Sequence, residues 1–385
     1  MLIPTNILEA AIQTRRHLHQ YPELGAEVHQ TVALVQRELE RLGLEVYPNI
    51  GRNGLYADLN VSDAYPRLAF RADMDALPIQ ELGEKPYQSK ISGRSHMCGH
   101  DAHTAMLLGA AKLIVQHKDQ LQHNIRFIFQ PDEENIPGGA IYMIKDGVLD
   151  GVDEIYAQHV WPTLDTGKIG ICKGPAMGQP DILNVTIIGK GGHAAYPHHT
   201  IDPIVIAAQY ISQVQAFMAR KIPALDAAVV SFTMIEAGTA HNIIPEKIQL
   251  KASIRTLSNP IKDQIKKQLL QILEGLCQSH GATFLYDYID GHAITFNQPQ
   301  TAQKIADLIP ASALVFPHPP SMAGEDFGYY SQEIPACFIF LGCRNEAKGI
   351  TAMLHNPYFD IDEDCMEYGI QLWYKIAFQL QLKGS

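Results

Sequence analysis

Cys98, His100, Glu133, Glu134, His159 and His355 are the side chains of this sequence whose types and settings could do chemistry together. A thiolate, imidazoles and carboxylates suit zinc or a similar borderline divalent metal, and suit magnesium poorly. In Cys98-Gly99-His100 the intervening glycine lets the backbone bend tightly, which puts two ligands within reach of one ion. A thiolate can also bridge two ions. Glu133 and Glu134 would point oppositely in a regular strand, but they follow Pro131, where the chain turns. One can then ligate while its neighbour faces a substrate. A carboxylate so held can take a proton from water and later deliver it to a leaving amine, while bound ions polarise the carbonyl. Amide hydrolysis needs both actions.

Each residue also has a plainer reading. A lone cysteine ahead of a helix is often a small buried hydrophobe, and paired glutamates can simply favour a helix start. Asp73 serves equally as a strand-end cap or as a carboxylate that orients a ligand. With 17 histidines most must be ordinary, and His19, His96 and His103 are read as structural or supporting. A cysteine hydrolase is disfavoured, because His100 is too close in sequence to Cys98 to serve easily as its oriented base and because such an enzyme needs neither the glutamates nor His355.

The elements that must position these residues follow from hydrophobic pattern. A helical opening, 7–42, breaks around Tyr21-Pro22. Apolar runs that end in polar residues follow: RLAFRADMD (67–75), NIRFIFQ (124–130) stopped by Pro131, EIYAQH (154–159) and CFIFLG (337–342). Between them lie helical patterns after HMCGHDAH and around 141–148, and a last helix covers 363–381. Alternating strands and helices predict a mixed, mostly parallel α/β sheet with helices on both faces. In such a sheet ligands bind beyond the carboxyl ends of the strands, where Asp73, Asp75, Glu133, Glu134 and His159 all fall. Near Gly178 the pattern changes. From ILNVTIIGK (182–190) to ATFLYDYID (282–290) the order becomes β-α-β-β-α-β, which predicts an inserted ferredoxin-like α+β lid domain. The expected division is 1–178 with 292–385, and 179–291.

The bulk numbers agree. A chain of 385 residues with 46% hydrophobic content is long enough for two cores. A net charge of −11, from 41 acidic against 30 basic residues, disfavours nucleic acid as a partner. The six cysteines show no framework spacing, which points to a reducing compartment and a cytoplasmic protein. The arginines near the start follow the apolar stretch rather than precede it, and no long apolar run occurs, so no membrane partner is expected.

RHLHQYPEL (16–24), RADMDALP (71–78), HMCGHDAHTAMLLG (96–109), QPDEE (130–134), HVWP (159–162), GKGGHAAYPH (189–198), HNIIPE (241–246), GEDFGYY (324–330) and LHNPYFD (354–360) together resemble the aminoacylase, hippurate hydrolase and auxin-conjugate amidohydrolase family of dinuclear metallopeptidases. The likeness spans nearly the whole chain. It implies hydrolysis of an N-acyl amino acid at two divalent ions, zinc first, with manganese or nickel as alternatives. Cys98 would bridge them, His100 and His159 would complete one site, and Glu134 and His355 the other. It further implies Glu133 as general base, His193 as support for the developing oxyanion, Asn242 and Arg255 as holders of the substrate carboxylate, and a homodimer through the lid. Without the resemblance, Arg255 reads as an exposed strand charge and Asn242 as a turn residue. The sequence departs from the broader exopeptidase pattern: Arg71-Ala72-Asp73 stands for His-x-Asp, and Cys98 for a bridging aspartate. Within the branch QPAEE is the common form, so Asp132 places an extra charge beside Glu133 and is expected to raise its pKa. A dipeptidase or carboxypeptidase, or a catalytically silent metal- or peptide-binding module, are the alternative functions.

Overall fold

The computed structural model describes residues 3–381, so positions 1–2 and 382–385 of the first expected domain lie outside the described residues. The chain forms two compact units. One runs up to Ala176 and resumes with Thr295–Pro320 and from Glu325 onward; the other is Met177–Ile294 with Ser321–Gly324.

The first unit is built on an eight-stranded sheet in the order Glu45–Ile50, Gly54–Leu59, Asn124–Gln130, Arg67–Asp73, Glu154–Asp165, Ala336–Arg344, Ile169–Ile171, Leu314–Val315. The four central strands pair in parallel, and antiparallel pairs lie toward both edges. Every residue of Asn124–Gln130 is buried, as a strand covered on both faces requires. The hairpin of Glu45–Ile50 and Gly54–Leu59 was not legible. Pro48 interrupts its pattern, yet it sits on the edge strand, where a missing donor is tolerated. Helix His100–Gln116 is apolar almost all round, so it is buried between helices rather than laid on the surface. It packs on Thr5–Gln20 and Cys365–Gln379. Gly109 lets the three approach: a Cβ there would lie 3.3 Å from Ala11 Cβ and 3.0 Å from Ile370 Cδ1.

The second unit has its own core, with Leu183, Ile187, Ile206, Tyr210, Leu250, Ile254 and Leu269 buried together. Its sheet runs Ala228–Ala237, Lys247–Thr256, Gln179–Ile188, Thr283–Ile289, all antiparallel. Helices Pro203–Lys221 and Asn259–His280 supply the two crossings, which is the split β-α-β arrangement. Alternating burial along Lys247–Thr256 leaves one face for those helices. Among the described residues no helix is long and apolar enough to cross a membrane.

Candidate metal centre

The first unit gathers Cys98, His100, Glu133, Glu134, His159 and His355, each held by a local device. Gly99 takes φ 94° at the start of helix His100–Gln116, and a Cβ there would lie 2.3 Å from Val160 Cγ2. Only glycine suits that corner. Beyond strand Asn124–Gln130 the chain turns through Asp132 at φ 62°, and the Asp75 carboxylate accepts the backbone N–H groups of both Glu133 (3.0 Å) and Glu134 (3.2 Å). His355 also has a positive φ, 63°, and its N–H donates to Met97 O at 2.8 Å, which ties its loop beside Cys98. His159 does not end its strand, contrary to the sequence reading, because the parallel partner Ala336–Arg344 carries the ladder on to Asp165. On its other side, pairing with Arg67–Asp73 stops at Arg71 and Ala157, so His159 lies just past that neighbour's ladder.

Ligand atoms of Cys98, His100 and His159 lie within 4.8 Å of one another, and so do those of Cys98, Glu134 and His355. Cys98 belongs to both groups. Its Sγ is 3.5 Å from His159 Nε2, and His355 Nε2 is 3.2 Å from Glu134 Oε1. His159 Nδ1 donates to its neighbour Val160 O at 2.7 Å, leaving Nε2 with a free lone pair. His103 is near as well, but its Nδ1 bonds Asp73 (2.6 Å) and its Nε2 accepts from Val160 N (2.9 Å), so it has no lone pair to offer. Both ring nitrogens of His100 are buried and complete no hydrogen bond. Nδ1 lies 3.4 Å from Asp75, and Nε2 lies 3.9 Å from each of Asp73, Glu133 and Glu134. Buried polar atoms are normally satisfied, so an unsatisfied imidazole among carboxylates is what a cation-binding set looks like without its cation.

The charges lead to the same reading. Burial works against a charged His100, yet Asp73, Asp75 and Glu134 hold its pKa up to about 10. The Cys98 thiol is pushed up by burial and by Glu134 and Glu133, so a thiolate forms here only against a cation, the opposite of an activated nucleophile. His159 is kept neutral by burial and by His103 and His100. Glu133 is raised well above the usual carboxylate range by burial, then by Glu325, Glu134, Asp326 and Asp75. Asp132 is not the source. Its carboxylate is turned to Arg52 (3.0 Å) and Asn135 (2.6 Å), which corrects the expectation that it charges the base.

Sequence reasoning named Asp75 without a role and left Asp326 unassigned. Arg71, which stands where the broader exopeptidase pattern has a histidine, is fully buried and donates to Asp73 (2.7 Å), Gln130 (2.9 Å) and Asp326 (2.8 Å), with Glu325 at 3.1 Å. It balances the acids that face Glu133. The second unit holds the other candidates. His193 is exposed and pairs with Ile243, and Ala194 N donates to Asn242 O at 3.0 Å, so His193 and Asn242 are neighbours. Arg255 lies on strand Lys247–Thr256, half-buried, with Nε donating to Ser253 Oγ at 3.1 Å. Burial lowers its pKa, opposed by Asp181.

Residues 69–379 match the profile described as peptidase family M20/M25/M40. The chain is 37% identical over 361 residues to thermostable carboxypeptidase 2 of Saccharolobus solfataricus, covering 93% of this chain and 92% of that protein. It is 41% identical over 286 residues to the N-acyl-L-amino acid amidohydrolase of Geobacillus stearothermophilus, covering 74% and 77%. Among solved structures it is similar to a dinuclear metal binding peptidase of the M20 family from Bacillus subtilis, with TM-score 0.84, 32% identity, and coverage of 97% and 98%.

Proposed function

The chain belongs to peptidase family M20/M25/M40 and is a hydrolase of that family, and on that premise we propose that it cleaves the amide bond of N-acyl amino acids, releasing a carboxylic acid and a free amino acid. One observation carries this reading: Cys98 is shared by two ligand groups, and the buried acid Glu133 lies with His100 and Glu134, one member of each group. Cys98, His100 and His159 would hold one divalent ion, and Cys98, Glu134 and His355 the other. Zinc fits a thiolate-imidazole-carboxylate set first, with manganese or nickel as alternatives. When bound, such ions supply Lewis-acid polarisation of the carbonyl and a more acidic water.

The chain's own residues do the proton work. Glu133 takes a proton as a water oxygen bonds to the carbonyl carbon and the C=O electron pair moves to oxygen. It then gives that proton to nitrogen as the C–N bond breaks and the C=O re-forms, so atoms and charge balance. The high proton affinity that burial and neighbouring acids give Glu133 suits the second step. We assign His193 to the developing oxyanion, with its exposed ring in support, and Asn242 and Arg255 to the substrate carboxylate. The half-buried guanidinium of Arg255 donates Nε to Ser253 Oγ and suits a planar anion. Residues 179–291 would act as a lid. Exposed Ile204, Val205, Val229 and Ile235 support a homodimer through this unit, and six free, buried cysteines support a cytoplasmic protein.

A carboxypeptidase activity would use the same centre, and the likeness to a thermostable carboxypeptidase favours testing it. Metal-loaded protein is assayed for amine release from N-acetyl, N-benzoyl and indole-acetyl amino acids beside unblocked peptides. The proposal expects turnover of the acylated set, with Glu133→Gln at least ~1000-fold slower at unchanged metal content. Turnover of peptides alone would favour a peptidase instead, with release of the C-terminal residue marking a carboxypeptidase, and no turnover of either set would refute both.

A further inference from the structure

We propose that Arg52 and Asp132 form a brace that clamps both ends of the loop carrying Glu133 and Glu134, and so positions the base and one metal ligand without touching either carboxylate. The inference rests on the proposed function for its kinetic arm.

Asp132 stands in the left-handed region at φ 62°, which costs most side chains but is tolerated by Asp and Asn. It is fastened at four points. Its N–H donates to Gly25 O (3.1 Å) and its carbonyl accepts from Gly139 N (2.8 Å). One carboxylate oxygen accepts from Asn135 Nδ2 (2.6 Å) and the other from Arg52 Nη1 (3.0 Å). Gly25 leaves room for this, since a Cβ there would lie 2.9 Å from Asp132 Oδ1. Arg52 is itself held at φ 76°, and its guanidinium also lies 3.7 Å over the ring of Tyr142. Tyr142 belongs to helix Ala140–Lys145, which begins where the loop ends. One side chain therefore reaches the loop's first turn and the first turn of the helix after it. Between these anchors the Asp75 carboxylate receives the N–H groups of Glu133 and Glu134. Asp75 holds the inner side of the turn and the Arg52–Asp132 pair the outer side.

Arg52 is nearly half exposed, so the pair adds little to stability; its effect is on where the loop sits. For Asp132→Ala, kcat is expected to fall about 10- to 100-fold with KM within about threefold, since a displacement near 1 Å costs on that order. The affinity of the weaker of two bound zinc ions, read by titration calorimetry, is expected to fall about tenfold through Glu134. Asp132→Asn keeps the left-handed backbone and an acceptor oxygen, and should restore both to within about threefold. Arg52→Ala should cost about 3- to 10-fold in kcat, and adding it to Asp132→Ala should cost nothing further, because the two act as one unit.

The brace is refuted if Asp132→Ala keeps wild-type kcat and zinc affinity, if Asp132→Asn is as impaired as Asp132→Ala, or if the double variant multiplies the losses. If Asp132→Ala does not fold, Arg52→Ala at an exposed side chain decides: unchanged kcat and zinc affinity there overturn the proposal. Should the wild type turn over no substrate, the zinc titration still tests the brace while the function itself has failed.

Discussion

At Gly99 the backbone lies where a Cβ would strike Val160 Cγ2 at 2.3 Å, with φ 94°. Gly99→Ala is therefore expected to destabilise the protein by about 2 kcal/mol or more and to weaken both ions, because it moves Cys98 away from His100; thermal denaturation and metal analysis on one preparation check this. Arg71→Leu should cost about 3–5 kcal/mol in stability, since it strands the buried carboxylates of Asp73, Glu325 and Asp326. A denaturant midpoint within error of wild type would contradict that. Part of the candidate site was legible locally, since Cys-Gly-His and a glutamate pair after a proline admit a metal reading beside a plainer one, whereas the division of ligands between two ions came only from the resemblance. Arg71's role was not legible, because its partner Asp326 is 255 positions away and a buried cation offers no periodic signal. Asp75 could have been found, since it closes the same apolar run as Asp73. The Asp132 reading failed because adjacency in sequence says nothing about which way a carboxylate turns.

Helix Thr5–Gln20 reaches the start of helix His100–Gln116 through charges rather than apolar contact alone. Arg15 bonds Asp101 (3.1 Å), Asp360 (2.6 Å) and Glu363 (3.0 Å), and His19 bonds Asp101 (2.8 Å) and lies 3.3 Å from Glu81. Despite burial, Arg15 and His19 hold Asp101 far below the usual carboxylate range, and Arg15 and Lys85 hold Asp360 low. Groups whose folded pKa is depressed contribute stability above their unfolded pKa near ~4 and lose it as pH falls through the folded values. His19 is raised instead; burial opposes this, but Asp101 and Glu81 prevail. Its contribution is full below about 6.5 and is lost as pH rises through the folded value. The melting temperature is thus expected to fall from pH 5 toward pH 3, and Asp360→Asn should flatten that acid limb; an identical limb in the variant would contradict this. The parallel strands Arg67–Asp73, Asn124–Gln130 and Ala336–Arg344 lie within two residues of the sequence reading at each end, because fully buried parallel strands read as continuous apolar runs. It stopped the strand of His159 too early, since a polar residue inside a run looks like its end, whereas the partner strand decides where pairing stops.

Over the whole molecule, sequence order alone revealed β-α-β-β-α-β between two stretches of α/β pattern. The return segment Ser321–Gly324 was invisible, because Gly178 N to Ala323 O (2.8 Å) and the Met177–Ser321 bridge are contacts across more than a hundred residues with no sequence signal. The second unit's separate core predicts that residues 177–294 expressed alone melt cooperatively; a featureless transition would contradict that. Saturating metal should stabilise the whole chain by about 4 kcal/mol at a thousandfold excess over Kd, and a chelator should reverse it. It should leave the isolated second unit unmoved, because the candidate ligands lie in the first. Anomalous diffraction from crystals grown with zinc decides whether Cys98 is shared by two ions. Two anomalous peaks sharing Cys98 Sγ are expected, one completed by His100 and His159 and the other by Glu134 and His355; a single peak, or peaks that do not share Cys98, would overturn the two-ion centre.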